Sequence, residues 1–231
     1  MKTQDPGLAL RALSRLLLYP DAGVRAALPE IAQALAADTS LRRSRREALT
    51  RLVRDLASRD PYEVEARYVD TFDRSRRTSL YLFEHVHGDS RERGPAMIDL
   101  LQTYACAGLH LPAGELPDYL PVALEFASTQ PPKVARAFLG EIAHILATIH
   151  TALAKRRSPY AGAIAAAIEL AGERVRTVEL APEEALDDAW AEPPAFDGCS
   201  TRGQARPDQP APIHFARKPA QRPASQPGVQ A

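Results

Sequence analysis

The chain has 231 residues with 29 lysines or arginines and 29 aspartates or glutamates, a formal net charge of zero that argues against a general nucleic-acid-binding protein. No run approaches the ~20 apolar residues that a membrane span requires, and the apolar run at 16–18 is too short for a signal sequence. The two cysteines, Cys106 and Cys199, form no disulfide framework and no zinc-type spacing, so we expect a reduced, cytoplasmic protein.

Apolar residues in the first part of the chain recur at helical spacing. The first predicted helix covers 8–19 and ends at Pro20, and its leucines spread over more than one face. A second helix begins after the capping residue Asp21 and runs to about 37. A third ends near 59 and carries a regular apolar stripe at Leu49, Leu52, Val53 and Leu56.

The fourth helix has a strong start signal. Asp60 is a good cap, Pro61 suits the first helical position, and Glu63 can reach back to the cap amide. Tyr68 and Phe72 follow at four-residue spacing, so an aromatic edge leads into the next segment.

Residues 70–89 combine aromatic, charged and histidine side chains as no other stretch does. Within them, 78–83 could be a strand by content. A lone strand leaves its backbone groups unpaired, and we find no convincing partner run. We therefore predict a loop followed by one or two buried helical turns.

Five further helices are predicted. Pro95 opens one whose apolar side is Met97, Ile98, Leu101, Tyr104, Ala105 and Leu109. Asp118 caps a short helix at 119–127, and the longest helix covers 133–157. An alanine-rich helix at 160–176 and a short acidic helix at 182–190 complete the series.

The composition changes after residue 190, where proline becomes frequent and large apolar residues almost vanish. Residues 200–231 retain too little apolar area to offset the entropy of ordering, so we expect a disordered tail. The fold class is therefore all-α: a single-domain bundle of about eight to nine helices over residues 1–199, followed by the tail.

Two patterns suggest a metal. His85 and His87 lie two residues apart, which puts them about 200° apart on a helix. Glu141 and His144 form one Glu-x-x-His, but a di-metal bundle needs a second. We favour structural or partner-contacting roles and expect no metal site; a helical-bundle metalloprotein using these four residues is the alternative.

No catalytic constellation is present. Cys106 has no neighbouring base in the sequence, and there is no nucleophile elbow and no glycine-rich phosphate loop. An arginine-rich helix face could hold a nucleic-acid backbone, but a solvated face balanced by the acidic 179–192 region is the simpler interpretation. Its members are Arg42, Arg43, Arg45, Arg46, Arg51, Arg54 and Arg59.

Aromatic residues cluster around the central segment: Tyr68, Phe72, Tyr81, Phe83, Tyr119 and Phe126. They are bordered by Glu84, His85, Asp118 and Glu125. They are either the core of the bundle or a groove that takes an amphipathic helix from a partner. The pattern alone leaves both interpretations open.

Three segments resemble a known family: residues 68–74 (Tyr-Val-Asp-Thr-Phe-Asp-Arg), 78–94 (beginning Thr-Ser-Leu-Tyr-Leu-Phe-Glu-His-Val-His-Gly-Asp) and 116–126 (Leu-Pro-Asp-Tyr-Leu-Pro-Val-Ala-Leu-Glu-Phe). They closely resemble the respiratory nitrate reductase assembly chaperones, the NarJ-like delta chains of the TorD-like redox-enzyme maturation chaperones. The resemblance covers about residues 8–199 and leaves the tail outside.

The resemblance implies a helical domain with no catalytic residues and no cofactor of its own. Such proteins hold the catalytic (alpha) subunit of nitrate reductase in the cytoplasm while its molybdenum cofactor is inserted, before that subunit docks on its membrane anchor. They bind its N-terminal segment, a helix-forming remnant of a twin-arginine leader. Proteins that carry the cofactor are a further class of partner that the resemblance leaves open, whereas nucleic acid and membrane insertion are not expected.

Carried over to this chain, the resemblance implies that the 81–85 and 118–126 blocks line or support the groove for that segment. The residues we expect to bind it are Tyr68, Phe72, Tyr81, Leu82, Phe83, Glu84, His85, Asp118, Tyr119, Leu120, Glu125 and Phe126.

Overall fold

The helical periodicity of the sequence is realised as a bundle. In the computed structural model, which describes residues 5–87 and 91–180, ten α-helices and one short 3₁₀ helix occur and no strand does. The predicted all-α class is confirmed. The helices are α1 (Gly7–Leu16), α2 (Ala22–Ala37), α3 (Arg43–Ser58), α4 (Pro61–Phe72), α5 (Leu82–Val86), α6 (Arg93–Cys106), α7 (Leu120–Thr129), α8 (Pro132–Glu141), α9 (Ala143–Lys155) and α10 (Ala161–Leu170), with the 3₁₀ helix at Arg76–Thr78.

The chain divides into two units, Met1–Ala181 and Pro182–Ala231. The predicted acidic helix at 182–190 and the predicted tail at 200–231 lie outside the described residues.

Helix α1 lies at the centre of the core and contacts α2, α7 and α10. Leu10, Leu13, Leu16 and Leu17 are almost completely buried, as the spread of its leucines predicts. Helix α10 approaches its neighbours closely because its side chains are small. A Cβ on Gly162 would lie 3.3 Å from the Cβ of Ala48 on α3, which is tight packing.

The predicted helix caps at α2 and α4 are present. Asp21 accepts the N–H of Val24 at 2.8 Å, and Asp60 accepts the N–H of Tyr62 at 2.9 Å. Glu63 pairs with Arg59 at 2.9 Å rather than completing a capping box. Local spacing is therefore sufficient to place these helix starts.

The single helix predicted at 133–157 is wrong. The chain breaks at Ile142, and α8 and α9 meet at a bend of 65°. The apolar spacing continues through the break, which is why the sequence reads as one helix. The bend allows α8 to pack on α7 while α9 packs on α10 and the 3₁₀ helix.

The alanine-rich helix is shorter than predicted. It ends at Leu170 rather than at 176, because Gly172 has a φ of 85° and the N–H of Glu173 turns back to the carbonyl of Ile168 at 3.1 Å. Glycine is the residue best suited to this left-handed position after a helix.

No single helix within 5–87 and 91–180 has both the length and the apolar character to cross a membrane, although the bent α8–α9 pair meets both criteria when taken together.

The arginine-rich face of α3 is partly neutralised within the bundle. Arg45 pairs with Glu169 of α10 at 2.9 Å, and Arg59 pairs with Asp55 at 2.6 Å. Most of the acidic 179–192 region expected to balance this face lies outside the described residues.

Candidate functional site

Two backbone hydrogen bonds join the two blocks that the sequence analysis singled out. The N–H of Leu82 donates to the carbonyl of Asp118 at 2.9 Å, and the N–H of Leu120 donates to the carbonyl of Leu80 at 2.8 Å. They form an isolated antiparallel bridge between Tyr81 and Tyr119. The predicted short helix is present as α5, at Leu82–Val86. The expectation that 78–83 has no partner segment is wrong, because the partner is 118–120, which is too short to carry a strand pattern.

Tyr81 and Tyr119 also stack, with ring centroids 5.1 Å apart. Because α5 and α7 each begin directly after the bridge, the bridge fixes how the two helices start relative to one another. The blocks 81–85 and 118–126 are thus neighbours in space.

Asp118 does not cap α7, contrary to the sequence prediction. Its side chain is completely buried, and Oδ2 accepts the N–H of Phe83, in the first turn of α5, at 3.1 Å. The guanidinium of Arg93, the first residue of α6, lies 3.8 Å from the same oxygen. Because the backbone of residue 118 is used by the bridge, its side chain points to α5 and α6 instead.

Burial raises the pKa of Asp118 above its ordinary value, although the Phe83 N–H and Arg93 act in the opposite direction. Its second oxygen, Oδ1, is buried and has no hydrogen-bond partner among the described residues. A buried, incompletely satisfied carboxylate of this kind is costly, which makes this junction sensitive to substitution.

Tyr68 connects the site to the centre of the bundle. Its hydroxyl lies 2.8 Å from the carbonyl of Leu17 and 3.0 Å from the hydroxyl of Tyr119. Since a carbonyl can only accept, Tyr68 donates to Leu17 and accepts from Tyr119. The ring of Tyr68 also packs on Phe72 and Tyr160, so these aromatic residues belong to the core.

His85 is half-buried and contacts the backbone of the preceding turn. Its Nε2 lies 2.9 Å from the carbonyl oxygen of Ser79, so Nε2 carries the proton and donates. Burial lowers the pKa of His85, which favours the neutral ring. The hydrogen bond therefore holds the ring of His85 against the backbone at Ser79, directly after the 3₁₀ helix.

The expected binding residues divide evenly by burial. Those buried in the core are Tyr68, Phe72, Leu82, Asp118, Leu120 and Phe126. Those that reach the surface are Tyr81, Phe83, Glu84, His85, Tyr119 and Glu125. A ligand approaching this conformation of the protein would meet the second set, with the first set lying beneath it.

Helix α6 buries one residue of its predicted apolar side and exposes others. Tyr104 is its one buried residue and donates its hydroxyl to the carbonyl of Pro117 at 2.9 Å. Ile98 and Leu101, which belong to the same predicted apolar side as Tyr104, are 57% and 41% exposed. They point outward because the helix rotates to place Tyr104 between Phe126 and Phe138.

Among residues 5–87 and 91–180, no group of three or more His, Cys, Asp or Glu side chains is placed to hold a metal ion. Glu141 and His144 are exposed near the α8–α9 bend, and His87 packs its ring against Phe83. The four residues of the metalloprotein alternative are therefore not gathered into one site.

The sequence profile of the nitrate reductase delta subunit family matches residues 19–166. The chain belongs to this family. The match includes α4, α5, α6 and α7, the helices that build the junction around Asp118.

Three bacterial proteins are similar to this chain over most of its length. It is 42% identical over 193 residues to the nitrate reductase molybdenum cofactor assembly chaperone NarJ of Escherichia coli K12, covering 82% of this chain and 80% of that protein. It is 41% identical over 160 residues to the probable chaperone NarW of the same strain, covering 64% and 69%. The probable NarJ of Bacillus subtilis is 36% identical over 161 residues, covering 70% and 86%. These three relatives are named as assembly chaperones, in agreement with the expectation that this chain is not an enzyme.

Proposed function

We propose that this chain is an assembly chaperone for a nitrate reductase and that it binds the N-terminal segment of the catalytic subunit in the cytoplasm. The observation that carries the proposal is the 42% identity to the Escherichia coli chaperone over 82% of this chain. It holds the subunit while the molybdenum cofactor is inserted and before assembly with the membrane anchor. The absence of a metal-binding cluster in the described residues is compatible with a binding role.

The surface we propose for the segment combines the half-exposed aromatic edge of the bridge with the outer face of α6. Tyr81, Phe83 and Tyr119 supply the aromatic edge. Ile98 and Leu101 lie three residues apart on α6 and so share one face. An amphipathic helix needs an apolar surface of this kind, because its own apolar stripe must be buried on binding.

The charges near this surface suit a basic segment. Glu125 is exposed and Glu84 half-exposed, so both are available to arginines of a bound helix. Asp118 is completely buried, so it acts from beneath by holding α5 and α6. Exposed carboxylates of this kind chiefly steer association and select partners.

Calorimetry with a synthetic peptide tests the proposal. The peptide is the N-terminal segment of the catalytic subunit, and a scrambled peptide of the same composition is the control. We expect saturable heat for the first and none for the second at about 100 μM protein, where micromolar affinity is measurable. Equal or absent heats for the two peptides would contradict recognition of this segment.

A further inference from the structure

Four tyrosines form one continuous row that ends in the proposed peptide surface. The rings of Tyr19 and Tyr68 meet edge to face with their centroids 5.6 Å apart. The hydroxyls of Tyr68 and Tyr119 are 3.0 Å apart, and the rings of Tyr119 and Tyr81 stack at 5.1 Å. Tyr68 is buried, whereas Tyr19, Tyr81 and Tyr119 reach the surface. We call these four residues the tyrosine row.

The carboxylate of Asp73, which follows the last residue of α4, lies beside the tyrosine row. Burial raises the pKa of each of the four hydroxyls, and the negative charge of Asp73 acts in the same direction on all four. The field of a charge is screened within about 10 Å in salt solution, so a carboxylate that acts on the whole row stands close to it.

Asp73 has no positive charge to balance it. It is exposed and forms no ion pair with any residue in 5–87 and 91–180. The next residue, Arg74, is directed instead to Asp70 at 3.4 Å. Asp70 also pairs with Arg156 at 3.0 Å, so the two carboxylates at this end of α4 differ in their surroundings.

The Tyr81 end of the row also lies in a negative field. Burial raises the pKa of Tyr81, and four carboxylates raise it further. They are those of Asp118, Asp73, Glu84 and Glu115. Glu115 is exposed, Glu84 is half-exposed, and neither forms an ion pair within the described part of the chain. An exposed aromatic face in such a field attracts cations, because the ring quadrupole and the carboxylates both favour positive charge.

We propose that the tyrosine row binds the guanidinium of one arginine in the partner's N-terminal segment, stacked on the Tyr81–Tyr119 pair and hydrogen-bonded to Asp73. This inference rests on the proposed function and adds the side chain by which the segment is recognised. A guanidinium is planar, so it can lie on an aromatic ring and present its N–H groups to a carboxylate at the same time. A lysine ammonium has no plane to stack and gains less from the same surface.

Calorimetry with the N-terminal peptide and variants of the full chain tests this contact. Asp73→Asn removes the charge at an exposed position and should weaken peptide binding about threefold or more. Tyr81→Leu removes the aromatic face but keeps an apolar side chain, and it should weaken binding to a similar extent. Tyr81→Phe keeps the ring and should bind as the wild type does. Glu30→Gln, at an exposed carboxylate of α2 outside the row, is the matched control and should also keep the wild-type affinity.

Replacing the arginines of the peptide one at a time by glutamine identifies the bound one. At one position this change should weaken binding to the wild type and have little further effect on Asp73→Asn, because the two groups act as a pair. Lysine at that position should restore only part of the affinity. Wild-type affinity in either Asp73→Asn or Tyr81→Leu would overturn the arginine contact and leave recognition of the peptide intact.

Nuclear magnetic resonance with N-acetyl-arginine amide tests the site without the peptide. Millimolar ligand should shift the ring signals of Tyr81 and Tyr119 in the wild type, and these shifts should shrink about threefold or more in Asp73→Asn. N-acetyl-glutamine amide is the uncharged control and should leave the signals in place. Arginine-specific shifts in a protein that does not bind the peptide would support the site while the proposed function fails. Ring signals that respond equally to both amides would overturn the site.

Discussion

The carboxylate of Asp118 accepts the backbone N–H of Phe83 at 3.1 Å, across 35 residues of sequence. The same oxygen faces the guanidinium of Arg93 at 3.8 Å. One buried charge thus ties the first turns of α5 and α6 to the segment that leads into α7. The proposed peptide surface lies on these three elements, so its shape depends on this contact.

Asp118 should make the protein less stable as the pH rises from about 4. Burial raises its pKa above the ordinary value of about 3.9, so the folded state holds the proton more tightly than the unfolded state. The contribution of Asp118 to the free energy of unfolding then falls as the pH rises through the folded pKa. Asp118→Asn keeps an oxygen for Phe83 and cannot titrate.

Urea unfolding of both proteins from about pH 3.5 to about pH 7 measures this effect. We expect the free energy of unfolding of wild type minus that of Asp118→Asn to decrease over this range. A difference that increases with pH would show that Arg93 and the Phe83 N–H outweigh burial.

His85 should have the opposite slope in a higher pH window. Burial lowers its pKa below the ordinary value of about 6.5, so its stabilising contribution is present above that pH and is lost as the pH falls through the folded pKa. His85→Gln retains a donor for the Ser79 carbonyl and does not titrate. In the same urea assay, the free energy of unfolding of the wild type minus that of this variant should therefore decrease as the pH falls from about 7.5 to about 5. A difference that does not change with pH would contradict the lowered pKa of His85.

Helix starts could be predicted because their causes are local. Asp21 and Asp60 cap helices with amides two or three residues away, and such spacing is visible in the sequence. Asp118 has the same local pattern but a different partner, since its backbone is taken by the bridge to residues 80–82. A contact across 35 residues leaves no local signal.

The sequence analysis grouped the two blocks of the candidate site but left open which of their residues are buried. The blocks 81–85 and 118–126 meet as expected, yet Leu82, Leu120 and Phe126 face the core. Aromatic and apolar spacing is the same for a core stripe and for a groove, so only tertiary packing separates them. The exposed face of α6 was missed for the same reason, because Ile98, Leu101 and Tyr104 share helical spacing and one tyrosine sets the rotation.

Tyr104 should control the attachment of α6. It is the one buried residue of this helix, and its hydroxyl donates to the carbonyl of Pro117. Tyr104→Phe should cost about 1 kcal/mol of unfolding free energy through the lost hydrogen bond. Tyr104→Ala should also release the helix locally, because its packing on Phe126 is lost.

Hydrogen exchange followed by mass spectrometry distinguishes local release from general destabilisation. In Tyr104→Ala, amides of 93–106 should exchange at least tenfold faster relative to those of α3 than they do in the wild type. Equal acceleration in α3 and α6 would show that α6 is held by other contacts.

The outer face of α6 should contribute to peptide affinity without contributing to stability. Ile98 and Leu101 are 57% and 41% exposed, so changing both to glutamine should alter the free energy of unfolding by no more than about 0.5 kcal/mol. If the face binds the apolar stripe of the N-terminal segment, the double variant should lose affinity for the peptide at least tenfold, which is about 1.4 kcal/mol.

Tyr62→Gln is the matched control, since Tyr62 is an 80% exposed side chain on α4 outside this surface. The peptide affinity of this variant should equal that of the wild type. Wild-type affinity in the double variant would exclude α6 and confine the segment to the edge formed by Tyr81, Phe83 and Tyr119.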